Sequence, residues 1–285
     1  MKSKQELFIT RKPHNPFLKD YISYYYFHIC TSEVIRKDFI YYPGFKNALT
    51  IYQNSKVEYG PRYSKVSPAF NQNTEYIYLY SGMISSYRKA TILSPFNKIG
   101  VVFNVLGINH FLDVPLSKLS KHPVEKSFNY FDKDFKSILN NIYKKQDFGH
   151  KVRLLDRFFE EKYCGFNDEI VKSCVQKIME TEGKITVQSL AVQNDISRRT
   201  LLRLFKKHLS CPVKNFIDIV QFRKSLDCFL NDQKINSFSE LAHRMDYYDQ
   251  PQFIHHFKKL TGINPKGFFS EIAHLGNEDT YWTFV

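Results

Sequence analysis

No two of the five cysteines form a Cys-x-x-Cys pair: Cys30, Cys164, Cys174, Cys211 and Cys228 are scattered through 285 residues. An odd, dispersed set of this kind argues against a disulfide framework and for reduced thiols in the cytoplasm. Long apolar runs are also missing. Stretches such as Ile99–Phe103 fall far short of the ~20 residues needed to span a bilayer, and the charged start of the chain lacks the apolar core of an export signal. Neither a membrane partner nor export is expected. Glycine and proline number only 11 each, which excludes collagen-like and low-complexity classes. Acidic residues are scarce, 28 against 41 Lys and Arg, leaving a net charge of +13. That imbalance points to a polyanionic partner.

What is present is material for cores. Hydrophobic residues make up 43% of the chain and aromatic residues 16%, too much for a disordered protein, and the length suits two domains. Between Phe17 and Leu106, aromatic and β-branched runs separated by turn residues read as strands: 21–27, 48–52, 76–80, 90–93 and 100–103. From Phe128 the spacing becomes helical, through Phe131, Phe135, Leu139 and Ile142 and then Val152, Leu155, Phe158 and Phe159. The expected fold class is α+β: a β-rich domain with two helices over residues 1–165, then an all-helical domain over 166–285.

The helical part contains an internal repeat. Leu190-Ala191 aligns with Leu241-Ala242 and Asp195 with Asp246. After one extra residue, Phe205-Lys206-Lys207 aligns with Phe257-Lys258-Lys259. Each unit reads as helix, short turn, capped helix, over about 187–209 and 239–260, which is the pattern of a helix-turn-helix. Ser197 and Asp249 are the expected N-caps of the second helices, because their side-chain oxygens can accept the free N–H groups of the first turn. A continuous helical pattern over 213–231 joins the units. Its ~27 Å can hold two helices near one turn of B-DNA, ~34 Å, apart.

In the first capped helix Leu201, Leu204, Phe205 and His208 share one side, while Arg199, Leu202, Arg203 and Lys206 share the other. Arg198, Arg199, Arg203, Lys206 and Lys207 make this outward side strongly cationic. Arginine can bond both acceptors of the guanine edge and lysine can hold phosphate. In the second, Phe253, Phe257 and Leu260 form the inward stripe, and Gln250, Pro251, Ile254, His255 and Lys258 the outward one. Glutamine can read adenine and isoleucine can meet a thymine methyl. His255 and His256 diverge by ~100° and cannot act as a metal pair.

The segment 171–272 resembles the AraC/XylS family of bacterial transcription regulators. The resemblance is strongest over Ser239-Glu240-Leu241-Ala242, the turn at Tyr247-Tyr248-Asp249, and then Phe253, Phe257-Lys258-Lys259 and Gly262-Ile263-Asn264-Pro265. It implies that both units enter successive major grooves of double-stranded DNA. The base-contacting slots would be Arg199, Leu202 and Arg203 in the first unit and Gln250, Pro251, Ile254 and His255 in the second. Phosphate contacts are expected from Arg198, Lys206, Lys207, Lys258 and Lys259. Several positions depart from the family pattern: the turn glycines are Asp195 and Asp246, the segment after the first recognition helix reads Ser210-Cys211-Pro212-Val213, and the arginine usual early in the linker helix is Gln221.

The first 165 residues more weakly resemble the family's cupin-like sensor domain, through Ile99–Phe103, Gly107, Phe111-Leu112 and Val114–Leu119. Such a domain implies a small-molecule effector, a homodimer, or both, and an activator would also contact RNA polymerase. His28, His110 and His122 stand too far apart in sequence for the His-x-His of a metal cupin, so no catalysis, cofactor or metal is expected. Of the tyrosines at 21, 24–26, 41, 42, 76, 78 and 80, most read as strand residues and some as lining for a ligand pocket. Residues 172–271 carry +6 of the net charge and the rest of the chain +7, so an anionic ligand for the first half is a further expectation. Two alternatives to a sequence-specific regulator stand beside it: an alkyltransferase-like DNA-repair enzyme, which needs an activated cysteine, and a non-specific architectural DNA binder. The apolar tail with Tyr281, Trp282 and Phe284 is expected to dock on one of the two domains.

Overall fold

The computed structural model describes residues 6–32, 35–70, 75–232, 235, 237–274 and 281–284. The strands are β1 (Glu6–Arg11), β2 (Ile22–Cys30), β3 (Arg36–Tyr41), β4 (Asn47–Gln53), β5 (Ser55–Tyr59), β6 (Tyr63–Pro68), β7 (Tyr76–Ser81), β8 (Arg88–Leu93), β9 (Phe96–Phe103), β10 (Val124–Glu125), β11 (Ala273–His274) and β12 (Tyr281–Phe284). They form two six-stranded sheets, ordered β1-β2-β9-β4-β7-β10 and β11-β12-β3-β8-β6-β5. Neighbours pair antiparallel except β6 and β8, which are parallel.

The five sequence-predicted strands are present as β2, β4, β7, β8 and β9. The sequence reading missed β1, β3, β5 and β6, whose runs carry Glu6, Arg11, Arg36-Lys37-Asp38, Glu58 and Lys65 where a buried face would need apolar alternation. These strands lie at or near the sheet margins and face water on one side, so the period-2 signal is weak.

Period 2 decides which side chain faces which layer. Along β9, Ile99, Val101 and Phe103 join a core shared with helices, while Lys98 and Val102 turn to the space between the sheets. Along β4, Leu49 and Ile51 take the helix side, and Ala48, Thr50 and Tyr52 the inter-sheet side. Helices α2 (Asp132–Lys144) and α3 (Phe148–Lys162) cover the first sheet, with Phe135 stacked on Phe158 at 4.3 Å between centroids. A short α1 (Leu116–Leu119) precedes them. Asp156 on α3 is buried and accepts hydrogen bonds from the Tyr25 hydroxyl at 2.8 Å and from the backbone N–H groups of His14 and Asn15 at 2.8 and 2.9 Å.

The helical part runs α4 (Glu169–Glu180), α5 (Val187–Gln193), α6 (Arg198–Leu209), α7 (Val213–Asn231), α8 (Phe238–Arg244), α9 (Gln250–Thr261) and α10 (Pro265–Glu271). The predicted linker matches α7 residue for residue. The first helix of the second unit begins and ends one residue earlier than the sequence suggested, because Ser237 caps it: its hydroxyl accepts the Glu240 N–H at 3.1 Å. Two cores serve the helices, one under α4–α7 and one under α7–α10. The strand-rich part lends Met83 and Leu106 to the first and Tyr42 to the second.

Candidate nucleic-acid interface

The two helix pairs repeat down to single hydrogen bonds. In the turn after α5, Asp195 sits at φ 50° and the Ile196 N–H reaches the Ala191 carbonyl at 3.0 Å; after α8, Asp246 sits at φ 56° and the Tyr247 N–H reaches Ala242 at 2.9 Å. Both aspartates therefore hold the left-handed conformation that glycine adopts more easily. Each turn closes i to i+5, satisfying a carbonyl that the helix end would leave unpaired.

Four caps orient the four helices. The Ser197 hydroxyl accepts the Thr200 N–H at 3.0 Å, and the Asp249 carboxylate accepts that of Gln252 at 2.8 Å, as the sequence led us to expect. Thr186 on α5 and Ser237 on α8 do the same for Ser189 and Glu240. These two caps were missed, although Ser237-x-x-Glu240 is a capping-box spacing legible in the sequence.

On α6 the inward face buries Leu201, Phe205, His208 and Leu209. His208 lies 3.1 Å from the carboxylate of Asp168, which also caps α4. Burial pulls the imidazole below its ordinary pKa despite that partner. The outward face leaves Arg198, Arg199, Arg203, Lys206 and Lys207 exposed, with Leu202 half-buried among them. On α9, Phe253, Phe257 and Leu260 point inward. Gln250, Pro251, His255, Lys258 and Lys259 are exposed. Ile254 is half-buried and packs against the second helical core, and Lys259 lies 3.7 Å from the buried Asp218 of α7. His255 and His256 diverge as expected: His256 turns inward, 2.5 Å from the Tyr247 hydroxyl. Tyr248, 93% exposed just before the Asp249 cap, stands on the same end of the unit as Gln250, and nothing in the hydrophobic pattern had singled it out.

The linker α7 is anchored by both neighbours. Gln221 donates to the Met245 carbonyl at 2.9 Å, tying α7 to the turn of the second unit. Arg223 donates through Nε to the Pro43 carbonyl at 2.6 Å and through Nη2 to that of Tyr42 at 3.3 Å. Elsewhere the two parts meet through Tyr87 N–H on the Leu260 carbonyl and the Ser210 hydroxyl on the Ser120 carbonyl. Helix α1 lies along α6, and its Ser117 shares a surface cleft with Arg199, Leu202 and Arg203. The tail joins the strand-rich part: Trp282 pairs with Tyr41 and Phe284 with Phe39 in backbone register, and the Tyr42 hydroxyl meets that of Thr283 at 2.7 Å. Residues 275–280 of that tail lie outside the described residues.

Between the sheets is a cavity of about 220 Å³, walled by Phe8, Tyr24, Tyr26, Phe39, Tyr41 and Tyr52 and touched by Lys46, Lys98 and Arg223. Tyr26 lies flat over Gly100, where a Cβ would stand 1.8 Å from its ring, and its hydroxyl meets Thr50 at 2.7 Å. Tyr24, Tyr26, Tyr41 and Tyr42 thus line the cavity, whereas Tyr25, Tyr78 and Tyr80 belong to the helix-side core.

Burial raises the thiols of Cys174 to about 11 and Cys211 to about 12, and those of Cys164 and Cys228 are also raised. A reactive cysteine needs a shift in the opposite direction.

Residues 190–271 match the family model described as a helix-turn-helix domain. The transcriptional regulatory protein HptR of Staphylococcus aureus is 25% identical over 104 residues, 36% of this chain and 40% of that protein. The chain therefore covers less than half the length of the curated relatives it matches. Among solved structures, the C-terminal domain of AraT, a response regulator from Geobacillus stearothermophilus, is 24% identical over 35% of this chain and 83% of its own, with a TM-score of 0.33. Unsaturated fatty acid-bound ToxT from Vibrio cholerae aligns over 98% of this chain and 100% of its own at 11% identity, with a TM-score of 0.41. No described helix is long and apolar enough to cross a membrane.

Proposed function

We propose that this chain, whose residues 190–271 form an AraC/XylS-type helix-turn-helix domain, is a sequence-specific DNA-binding transcription regulator that acts in the cytoplasm. The observation that carries the reading is the duplicated, capped helix-turn-helix with a cation-rich exposed face on its first recognition helix. Arg199, Leu202 and Arg203 read bases in one major groove, and Gln250, Pro251, Ile254 and His255 in the next. Arg198, Lys206, Lys207, Lys258 and Lys259 hold phosphates, supplying affinity that falls with salt while the base contacts supply discrimination. Ile254 and Lys259 are the weakest members, being drawn toward the core and toward Asp218.

The strand-rich part senses a small-molecule effector in the inter-sheet cavity. It also provides the surface for a homodimer, and RNA polymerase is a partner if the protein activates. Because Arg223 of α7 lines that cavity and holds the 42–43 backbone, occupancy of the cavity acts on the helix that sets the spacing of the two units.

Selection of bound fragments from a random DNA pool at ~150 mM salt, followed by anisotropy, tests the reading. Two short half-sites about one turn apart, bound ~10³-fold tighter than random DNA, are expected. Strong binding without any sequence preference would instead establish the architectural alternative.

A further inference from the structure

The two helix-turn-helix units differ by one residue in the turn, and that residue is Tyr248. In the first unit Asp195 and Ile196 lead straight to the Ser197 cap; in the second, Asp246 and Tyr247 are followed by Tyr248 before the Asp249 cap. Setting the caps in register also places Thr200 on Gln252, each donating its N–H to the cap, so the insertion is confined to this point. Ile196 and Tyr247 take equivalent places, each packed against the core of its own unit, and the Tyr247 hydroxyl is engaged with His256. Tyr248 turns the other way. Its exposure of 93% is the highest of any large apolar side chain among the described residues. The backbone beneath it is held: its N–H donates to Gln252 Oε1 at 2.9 Å, while the Asp249 carboxylate accepts the Gln252 N–H at 2.8 Å. A phenol thus stands on a fixed stem at the leading end of α9, its hydroxyl bonding no described residue.

That end of α9 lacks a cation. Helix α6 begins Arg198-Arg199, both exposed, whereas α9 begins Gln250-Pro251-Gln252. The first lysine after the Asp249 cap is Lys258, eight residues past Gln250 and so ~12 Å along the axis. A helix that enters a groove by its N-terminal end passes between phosphates there, and tyrosine is among the side chains that bond them.

We propose that Tyr248 is the phosphate anchor of the second unit: its hydroxyl donates to a backbone phosphate at the edge of the groove that α9 enters, and its ring lies against the adjoining deoxyribose. It plays for α9 the part that Arg198 plays for α6. The proposal rests on the reading of α9 as a DNA-reading helix and adds a residue outside the slots assigned to it. Because the donor is uncharged, the contact releases no counterion and adds affinity without adding salt dependence.

Anisotropy of the full chain on the selected DNA site tests this, with urea unfolding as the control on the fold. Tyr248→Phe, which removes only the hydroxyl, is expected to weaken binding ~10-fold and Tyr248→Ala further, with the unfolding midpoint unchanged. The slope of log K against log salt and the ranking of single base-pair changes should both stay those of the unmodified chain. Methylphosphonates placed one at a time along the second half-site should find one phosphate whose neutralisation weakens the unmodified chain but not Tyr248→Phe. Binding by Tyr248→Ala within ~2-fold of the unmodified chain overturns the proposal; if transcription is nevertheless lost, the ring belongs to a protein contact. Loss in Tyr248→Ala with Tyr248→Phe unaffected overturns the hydroxyl bond, and a changed preference at one base pair makes Tyr248 a base reader and overturns the phosphate anchor. A complete lack of sequence preference in the unmodified chain sinks the regulator reading alone, and the same two variants then decide the phosphate contact on random DNA.

Discussion

Arg203 stands exposed in the middle of the outward face of α6, one helical turn from Arg199, where a guanidinium can bond both acceptors of a guanine edge. Arg203→Ala is expected to cost ~1–3 kcal/mol on the selected site and to relax the preference at one base pair. Lys207→Ala, at a position proposed to hold phosphate, should weaken specific and random DNA alike and lower the slope of log K against log salt by ~1. Equal loss on both DNAs for Arg203→Ala would reassign it to phosphate. Buried histidines set the acid response. Burial, reinforced by Lys98, lowers His28 to about 3 from an ordinary 6.5. The folded state then refuses a proton the unfolded chain accepts, so stability held above pH 6.5 is lost as the pH falls from 6.5 toward 3, at up to ~1.4 kcal/mol per unit. Thermal unfolding midpoints should drop between pH 6.5 and 5, and more shallowly in His28→Gln. A parallel pH profile for that variant would sink the assignment.

At the scale of elements, α6 and α9 depend on their first turns, where N–H groups have no helical partner. Ser197→Ala and Asp249→Ala should each cost ~1 kcal/mol of stability and fray the end that carries Arg199 or Gln250. Denaturant unfolding measures the first effect. A disproportionate loss of DNA affinity, exceeding the loss of stability, reports the second. Asp156 plays the corresponding part in the strand-rich half, joining α3 to β2 and to the segment before it through three hydrogen bonds. Removing it leaves the Tyr25 hydroxyl and two N–H groups unpaired in or near the core. Asp156→Ala is therefore expected to destabilise by ~2–4 kcal/mol, and a change under ~0.5 kcal/mol would contradict the geometry. The second unit shows how such anchoring shapes a face: Phe253, Phe257 and Leu260 fix α9 so firmly that Ile254 is partly drawn into the same core.

For the whole molecule, the decisive contact is α1 against α6. With Ser117 in the same surface cleft as Arg199, Leu202 and Arg203, α1 borders the outward face of α6, and a duplex that docks its major groove on that face is expected to displace α1. Cysteines placed at Ser117 and Thr200, which line the same cleft, in a Cys164→Ser background and joined by a short bis-maleimide should abolish specific binding, while the uncoupled variant still binds. Undiminished binding after cross-linking would mean that α6 reads DNA in the arrangement seen here. The Arg223 bonds to the 42–43 backbone and the pairing of β12 with β3 are the other ties that such a movement would strain.

Local physics left a clear record in the sequence: the period-3.6 stripes, the Ser197 and Asp249 caps, the duplicated turn and the full extent of α7 are all set by neighbours a few residues apart. Strands with two apolar faces, such as β4 and β9, were legible for the same reason. The charged strands β1, β3, β5 and β6 were not, because a strand wet on one side is defined by the partner it pairs with. Only the tertiary structure decided that Lys98 and Arg223, 125 positions apart in the chain, touch one cavity, and that α1 lies along α6. Pairings over such separations arise from sheet register and domain packing, which no local spacing encodes.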